Sequence, residues 1–347
     1  MQKEQTLIKE EGNAMTFVAN QKINDFIARE TEEAVLEPDL PIIDAHHHLW
    51  DIREAPGYPF QQKVYLCEEI MNDINGAGHN VEQTVFAQCG AFYRADGPVE
   101  MRPVGETEFV HGIAAMSRSG IYGDTRLCTG IFSTADLRLG ARVEPVLEAH
   151  MRASEYFRGI RSAFPSDLNA DFMEGFRLLA KHNLSYDNWS PDYERLPTLA
   201  KLANANPEVT VIVNHLGGKI DIRADKDSFE TWRAGIEAVA ACPNTVMKLG
   251  GAQMRVDEWE PEYHMHQCEA PLSSEAFCEL LYPHYLVVLD AFGPDRCMFE
   301  SNFPVDRECI SYRTLWNLFK RIANKAGMSD GEKSDLFYGT AARAYRL

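Results

Sequence analysis

Eight short apolar runs recur along this chain, each followed by a segment with helical periodicity, and that alternation leaves few folds open. The first is Ile42–Ile43, whose polar end begins at Asp44. The pattern then predicts strands over about Thr84–Cys89, Leu127–Ser133, Phe157–Arg161, Leu184–Asp187, Val209–Asn214, Thr245–Leu249 and Cys297–Ser301. Two helices, about Tyr312–Ala326 and Gly331–Tyr345, are expected after the last strand. Strands separated by helices pair in parallel, because each connection must cross back over the sheet. Over about 300 residues this is the pattern of an α/β chain folded as a (β/α)8 TIM barrel with extra C-terminal helices. A doubly wound sheet would carry a glycine-rich phosphate loop after an early strand, and none is present. Residues 1–40 form an N-terminal arm with a loose helical stripe (Phe17, Val18, Ile23, Phe26 and Ile27), and 41–347 form the barrel. The arm packs either beneath the core or against a neighbouring subunit of a homo-oligomer; the sequence leaves both open.

In such a barrel chemistry gathers at the carboxyl ends of the strands. Those ends carry His46 and His48, Arg161, Asp187, His215, Lys248, and the pair Glu300 and Asn302. Strand alternation predicts Asp44, His46 and His48 on one face with Ala45 and His47 on the other. Two imidazoles at one strand end suit a divalent metal or a polarised carbonyl. Glu300 and Asn302 are two apart and are expected to point into the barrel together. Arg161 offers a charged fork for a carboxylate or an oxyanion. Trp50, Tyr58, Phe92, Tyr93 and Trp189 fall in loops at the same end and are candidates for an aromatic pocket.

Charge and composition exclude several partners. The formal net charge is −18, from 34 basic and 52 acidic residues, which argues against a nucleic acid. No apolar run reaches the ~18 residues of a membrane span, and the start lacks a signal core. The eight cysteines include no Cys-x-x-Cys pair, so reduced thiols in a cytoplasmic protein are expected.

The stretch Ile-Asp-Ala-His-His-His-Leu-Trp-Asp, from Ile43 to Asp51, resembles the first-strand signature of the amidohydrolase-related family, TIM-barrel hydrolases of the amidohydrolase superfamily. Phe-Arg-Gly-Ile-Arg resembles the fourth-strand segment and Val-Asn-His-Leu-Gly-Gly the sixth. Arg-Cys-Met-Phe-Glu-Ser-Asn-Phe-Pro-Val-Asp resembles the eighth. The resemblance runs from about Leu40 to the C-terminus and is nearest to the branch of sugar lactonases and pyrone-dicarboxylate lactonase. It implies a hydrolase that opens a lactone or related cyclic ester of a small organic acid. His46, His48 and His215 would polarise the carbonyl with or without a divalent metal such as Zn, for which they are the implied ligands. Asp187 or Glu300 would take the proton, and Arg161, Asn302, Trp50 and Trp189 would contact the substrate.

Three departures qualify what the resemblance implies. Asn302 stands where the family usually has an aspartate, which leaves the histidines without an anionic partner at that position; an amide is no base and a poorer ligand. The fifth strand offers Asp187 where metal-binding relatives often carry a histidine. Gly218 stands where the dicarboxylate-binding relative has an arginine, which disfavours a substrate with two carboxylates. A metal-dependent decarboxylase and a non-catalytic ligand-binding barrel are the alternatives.

Overall fold

The computed structural model describes residues 20–53, 59–165, 167–255 and 260–347. Eight parallel strands follow one another around a single sheet. They are β1 (Ile42–His47), β2 (Val81–Phe86), β3 (Arg126–Ser133), β4 (Phe157–Ala163), β5 (Ser185–Trp189), β6 (Val211–Val213), β7 (Thr245–Leu249) and β8 (Cys297–Phe299). The sheet closes where His47 bridges Phe303, with Asn302 N donating to His46 O (2.8 Å) and His48 N to Phe303 O (2.7 Å). One helix follows each strand: α1 (Cys67–Ala77), α2 (Val104–Arg118), α3 (Glu144–Ala153), α4 (Ala170–Lys181), α5 (Leu196–Ala205), α6 (Lys226–Ala240), α7 (Ser274–Phe292) and α8 (Tyr312–Lys325). The (β/α)8 expectation holds.

Several helices start at polar caps that satisfy otherwise unpaired amides. Asn169, Asp225, Ser273 and Ser311 accept from the backbone at the heads of α4, α6, α7 and α8. Apolar side chains sort into two layers. Ile43, Ala45, Val85, Phe132, Ile212 and Met298 fill the barrel interior together with Ala341 and Tyr345, while Ile42, Phe86, Val211, Val213 and Phe299 belong to the larger cluster that includes the helices. Tyr345 lies in the C-terminal segment Thr340–Tyr345, and its ring meets Phe132 edge-on at 5.2 Å. The segment plugs the barrel beneath the polar strand ends.

Some boundaries differ from the expectation. β2 begins at Val81 rather than Thr84, because Ile42 pairs with Val81 and the polar pair Glu82–Gln83 still belongs to the ladder. It ends at Phe86, beyond which Ala87 N bonds His47 O. β6 is only Val211–Val213, since Val209 N turns back to Asn206 O. The expected last helix, Gly331–Tyr345, is interrupted by a π-helical turn over Asp335–Gly339.

The described part of the arm packs on its own barrel. Ile23 and Phe26 are buried, and Glu30 and Glu33 accept from Ser311 and Ser274 at the heads of α8 and α7. Phe17 and Val18, and Tyr58 of the aromatic group, lie outside the described residues. All eight cysteines are free thiols. Among the described residues no helix is long and apolar enough to cross a membrane.

Candidate active site

The inner face of the barrel turns polar toward the strand ends because the inward parity of each strand continues into a titratable or amide residue. Ile212 leads to Asn214 on β6, Val246 to Lys248 on β7, and Met298 to Glu300 on β8. On β1 the parity breaks. A register shift lies between Asp44 and His47, so Ala45 lines the interior and the next residue, His46, also faces the site. Asp44 therefore does not share the face of His46 and His48, contrary to the alternation argument. It accepts from Tyr312 Oη (2.9 Å) and Ser301 N (2.8 Å), and burial pushes its carboxyl up to about 6. His47 turns away to Thr84 Oγ1 (2.8 Å).

His46, His48 and His215 converge as expected. The Nε2 atoms of His46 and His48 are 3.1 Å apart, and the rings of His46 and His215 are 4.7 Å apart. His48 Nδ1 donates to Ala87 O (2.8 Å), which leaves its Nε2 with a lone pair. His215 Nδ1 donates to Glu300 Oε1 (2.7 Å), which frees Nε2 in the same way. His46 Nδ1 has two neighbours. Lys248 Nζ stands 3.0 Å away with hydrogen-bond geometry; Glu300 Oε2 stands 2.9 Å away without it and has no other partner. When Lys248 donates to Nδ1, the His46 Nε2–H donates to His48 Nε2. When Nδ1 carries the proton toward Glu300, all three Nε2 atoms present lone pairs. Burial first, then Lys248 beside His46 and Arg161 beside His48, holds both imidazoles far below their usual pKa. Both are neutral at pH 7.

The carboxylates are shared out. Asp187 is buried, with Oδ2 accepting from Lys248 Nζ (2.8 Å) and Oδ1 from Asn214 Nδ2 (2.5 Å). Glu300 serves two histidines. The anionic partner that Asn302 does not supply thus arrives two residues earlier, which corrects the expectation that the histidines lack one. Asn302 itself donates from Nδ2 to Asp306 Oδ1 (2.8 Å). Arg161 is held by Nε to Asn214 Oδ1 (3.1 Å) and Nη1 to Gln88 O (2.7 Å), with its Nη2 given to neither.

The aromatic group divides. Trp189 meets His215 edge-on at 5.0 Å and lies under the Arg161 guanidinium at 5.8 Å. Trp50 is buried, stacked between His48 and Phe60, with Nε1 bound to Gln62 O; it backs His48 instead of lining an open pocket. Phe92 stacks on Phe109 at 4.0 Å, and Tyr93 Oη accepts from Gln88. Clefts of about 470 and 580 Å3 lie among the loops after β5 and β6 and after β3 and β4, and neither includes the cluster's histidines.

Backbone geometry is tight here. His215 and Asn302 take left-handed φ values of +54° and +53°, which cost free energy in non-glycine residues. A Cβ on Gly250 would come within 2.3 Å of Glu300 Cγ, and one on Gly251 within 2.4 Å of His215 Nδ1. The two glycines after β7 are what let Glu300 and His215 meet.

Asn214, Gln88 and Glu106 escape the sequence reading. The signal for Asn214 was the inward parity from Ile212. Glu106, buried on α2, accepts from the amides of Cys89, Gly90 and Ala91 and from Ser133 Oγ, and so clamps the loop that presents Ala87 O and Gln88 O. Nothing local distinguished it from a surface glutamate.

A divalent ion fits this donor set. Ligand atoms of His46, His215 and Glu300 all lie within 4.8 Å of one another; Glu300 stands on the Nδ1 side of His46 and His215, so the paired donors left for an ion are the Nε2 atoms of His46 and His48. The 3.1 Å Nε2 separation of His46 and His48 is near the roughly 3.3 Å edge of a tetrahedron drawn with Zn–N bonds of ~2.05 Å.

A family model described as amidohydrolase matches residues 43–347. An uncharacterized protein, y4mH, of Sinorhizobium fredii is 32% identical, across 89% of this chain and 99% of that protein. An L-fucono-1,5-lactonase of Burkholderia multivorans is 27% identical, across 88% and 96%. Among solved structures, an amidohydrolase from Burkholderia multivorans with bound zinc superposes with a TM-score of 0.67 at 24% identity, covering 88% of this chain and 99% of that one.

Proposed function

This chain belongs to the amidohydrolase family and is a hydrolase of that superfamily, and from that premise we propose that it opens the lactone of a small polyhydroxylated acid. One observation carries the reading: His215 presents a free Nε2 while Glu300 grips its Nδ1 at 2.7 Å. A carboxylate behind an imidazole fixes its tautomer and stabilises the imidazolium that forms when the ring accepts a proton. Asp187, with both oxygens engaged by Lys248 and Asn214, is not the acceptor; it holds Lys248 in place.

The steps follow from the residues. Water attacks the lactone carbonyl and gives its proton to His215 Nε2. The uncommitted Nη2 of Arg161 faces the negative charge that develops, and preorganised donors are worth most where charge appears. His215 then returns the proton to the ring oxygen as it leaves, so one imidazole serves both halves of the reaction. Trp189 gives the sugar ring an apolar wall beside Arg161. A divalent metal, which we place on His46 and His48 and take as zinc from the zinc-bound relative, would supply Lewis-acid polarisation of the carbonyl. The lactonase relative from Burkholderia multivorans supports the substrate class. Gly218, which adds no cation to Arg161, fits an uncharged sugar lactone better than a dicarboxylate.

The test is proton release on a panel of aldonolactones, with aryl esters, amides and aromatic acids as controls. Turnover of one or more aldonolactones at least ~10²-fold above the esters is expected, since a site that hydrogen-bonds substrate hydroxyls rejects analogues lacking them. Carbon dioxide release from an aromatic acid without ring opening would overturn the proposal in favour of a decarboxylase.

A further inference from the structure

A second histidine–carboxylate group lies outside the barrel, in the connection from β7 to α7. Glu260, His264 and His266 sit within seven residues of chain. A tight turn gathers them: His264 N bonds Pro261 O at 3.0 Å, and Gln267 N and Cys268 N bond His264 O at 2.7 and 3.1 Å. We propose that these three residues form a binding site for a divalent transition-metal ion of the zinc type, which braces the loop after β7.

His264 lies between two carboxylates. Its ring is buried, at 1% exposure, and both nitrogens face carboxylates. Nε2 is 2.9 Å from Glu308 Oε2, and Nδ1 is 3.0 Å from Glu260 Oε1. A neutral imidazole has one N–H. The Nε2 contact has hydrogen-bond geometry and the Nδ1 contact does not, and the backbone N–H of His266 points at Nδ1 from 3.4 Å. The proton therefore sits on Nε2, and Nδ1 offers a lone pair toward a carboxylate that also offers one. Two acceptors 3.0 Å apart repel unless a proton or a metal ion lies between them. Among the described residues, the Arg255 guanidinium keeps its Nη1 3.9 Å from Glu260 Oε1, beyond hydrogen-bond reach.

The remaining geometry supplies the other parts of such a site. His266 Nδ1 is also 3.0 Å from Glu260 Oε1 and donates to it in the metal-free loop, so an ion would take the place of that proton; the oxygen and the two nitrogens all lie within 4.8 Å of one another. Gln267 Nε2 donates to Glu260 Oε2 at 2.6 Å and orients the carboxylate with Oε1 inward. Glu308 behind His264 is the carboxylate–histidine arrangement that fixes a metal-ligating ring. Two imidazoles and a carboxylate suit zinc or its neighbours over magnesium or calcium. Exposure rises from His264 to His266, at 38%, so an ion enters from solvent and keeps a position open to water. Glu308 also accepts from Gln61 N (2.6 Å) and closes the short turn Asp306–Glu308 that follows Asn302.

The experiment compares full-length wild type with His266→Ala and Glu260→Gln, each stripped of metal and titrated calorimetrically with Zn2+, with melting temperature read at each addition. Because both variants leave the barrel histidines intact, their difference from wild type counts only the loop site. The expected result is one fewer equivalent of Zn2+ per chain in each variant and loss of the matching rise in melting temperature. Equal stoichiometry in all three proteins, with the same Zn2+-induced shift, would sink the proposal. His266 is exposed, so its replacement tests the ligand without removing core packing.

Discussion

In the barrel cluster the carboxylate lies behind the imidazoles; in the loop cluster one carboxylate lies in front of them. Glu300 is shared between the Nδ1 atoms of His46 and His215, which leaves their Nε2 atoms facing away from it. Glu260 instead meets the Nδ1 atoms of His264 and His266 directly, while Glu308 alone stands behind, on His264. The same two residue types thus make the proton-transfer site we propose in one place and the ion-holding site we propose in the other. What differs is which nitrogen is left unprotonated and what it faces. The barrel cluster is assembled from β1, β6 and β8, far apart in sequence, and is fully enclosed. The loop cluster is local and half open, which suits an ion that comes and goes.

The largest separation between the clusters should be catalytic. His215→Gln is expected to lower kcat by about 10³-fold, the scale of a lost general base. His266→Ala should leave turnover unchanged within error in the same assay. A comparable loss from the loop variant would break the distinction between the two clusters.

Stability separates them next. Lys248→Met strips the closer of two buried cations from Asp187 and is expected to cost about 3 kcal/mol in denaturant unfolding, because the buried carboxylate keeps only Arg161, 3.8 Å away. His266→Ala should cost no more than about 0.5 kcal/mol in metal-free protein. Similar midpoints for the two variants would mean that Lys248 is not the cation that neutralises Asp187.

Gly251→Ala sharpens the geometric side. Its Cβ would meet His215 Nδ1 at 2.4 Å, and Gly251 has φ of +68°. Displacing the ring from Glu300 is expected to cost roughly 10²-fold in kcat, with KM nearly unchanged. A KM effect alone would place His215 in substrate binding instead of proton transfer.

The smallest effect is on pH dependence. Burial pushes the Glu106 carboxyl up to about 7 from an ordinary 4.5, against the pull of the amides and hydroxyl that donate to it. The folded chain then binds this proton more tightly than the unfolded one. The stabilisation is complete below about pH 4.5 and is lost as pH rises through about 7. Glu106→Gln should flatten that part of the stability profile, measured as denaturation midpoints at pH 5 and pH 8. Identical pH slopes in both proteins would remove Glu106 as the source.

Much of the barrel cluster was legible in advance because parity along a strand is a local property. Met298 and Glu300, or Ile212 and Asn214, share a face whatever surrounds them. Where the parity broke, at the bulge in β1, the reading of Asp44 failed, because a bulge is set by pairing with β2 and cannot be seen in one strand. The loop cluster went unread for a related reason. Glu260, His264 and His266 have no regular period, and only the fold brings Glu308 to them.

By itself the sequence determined the order of the elements, the closed parallel sheet, and which end of it carries the chemistry. It did so because hydrophobic periodicity and the hand of the crossover leave almost no other arrangement for eight strands alternating with helices. The tertiary structure alone decided how protons are distributed. Glu300 ended up behind two histidines, Asp187 beneath Lys248, and Asn302 on Asp306, where the sequence left Asp187 and Glu300 as alternative proton acceptors and Asn302 as a substrate contact. Those choices depend on distances of a few tenths of an ångström between side chains from different strands. Hydrogen bonds and charge pairs fall off over such distances, and nothing along a single strand encodes them.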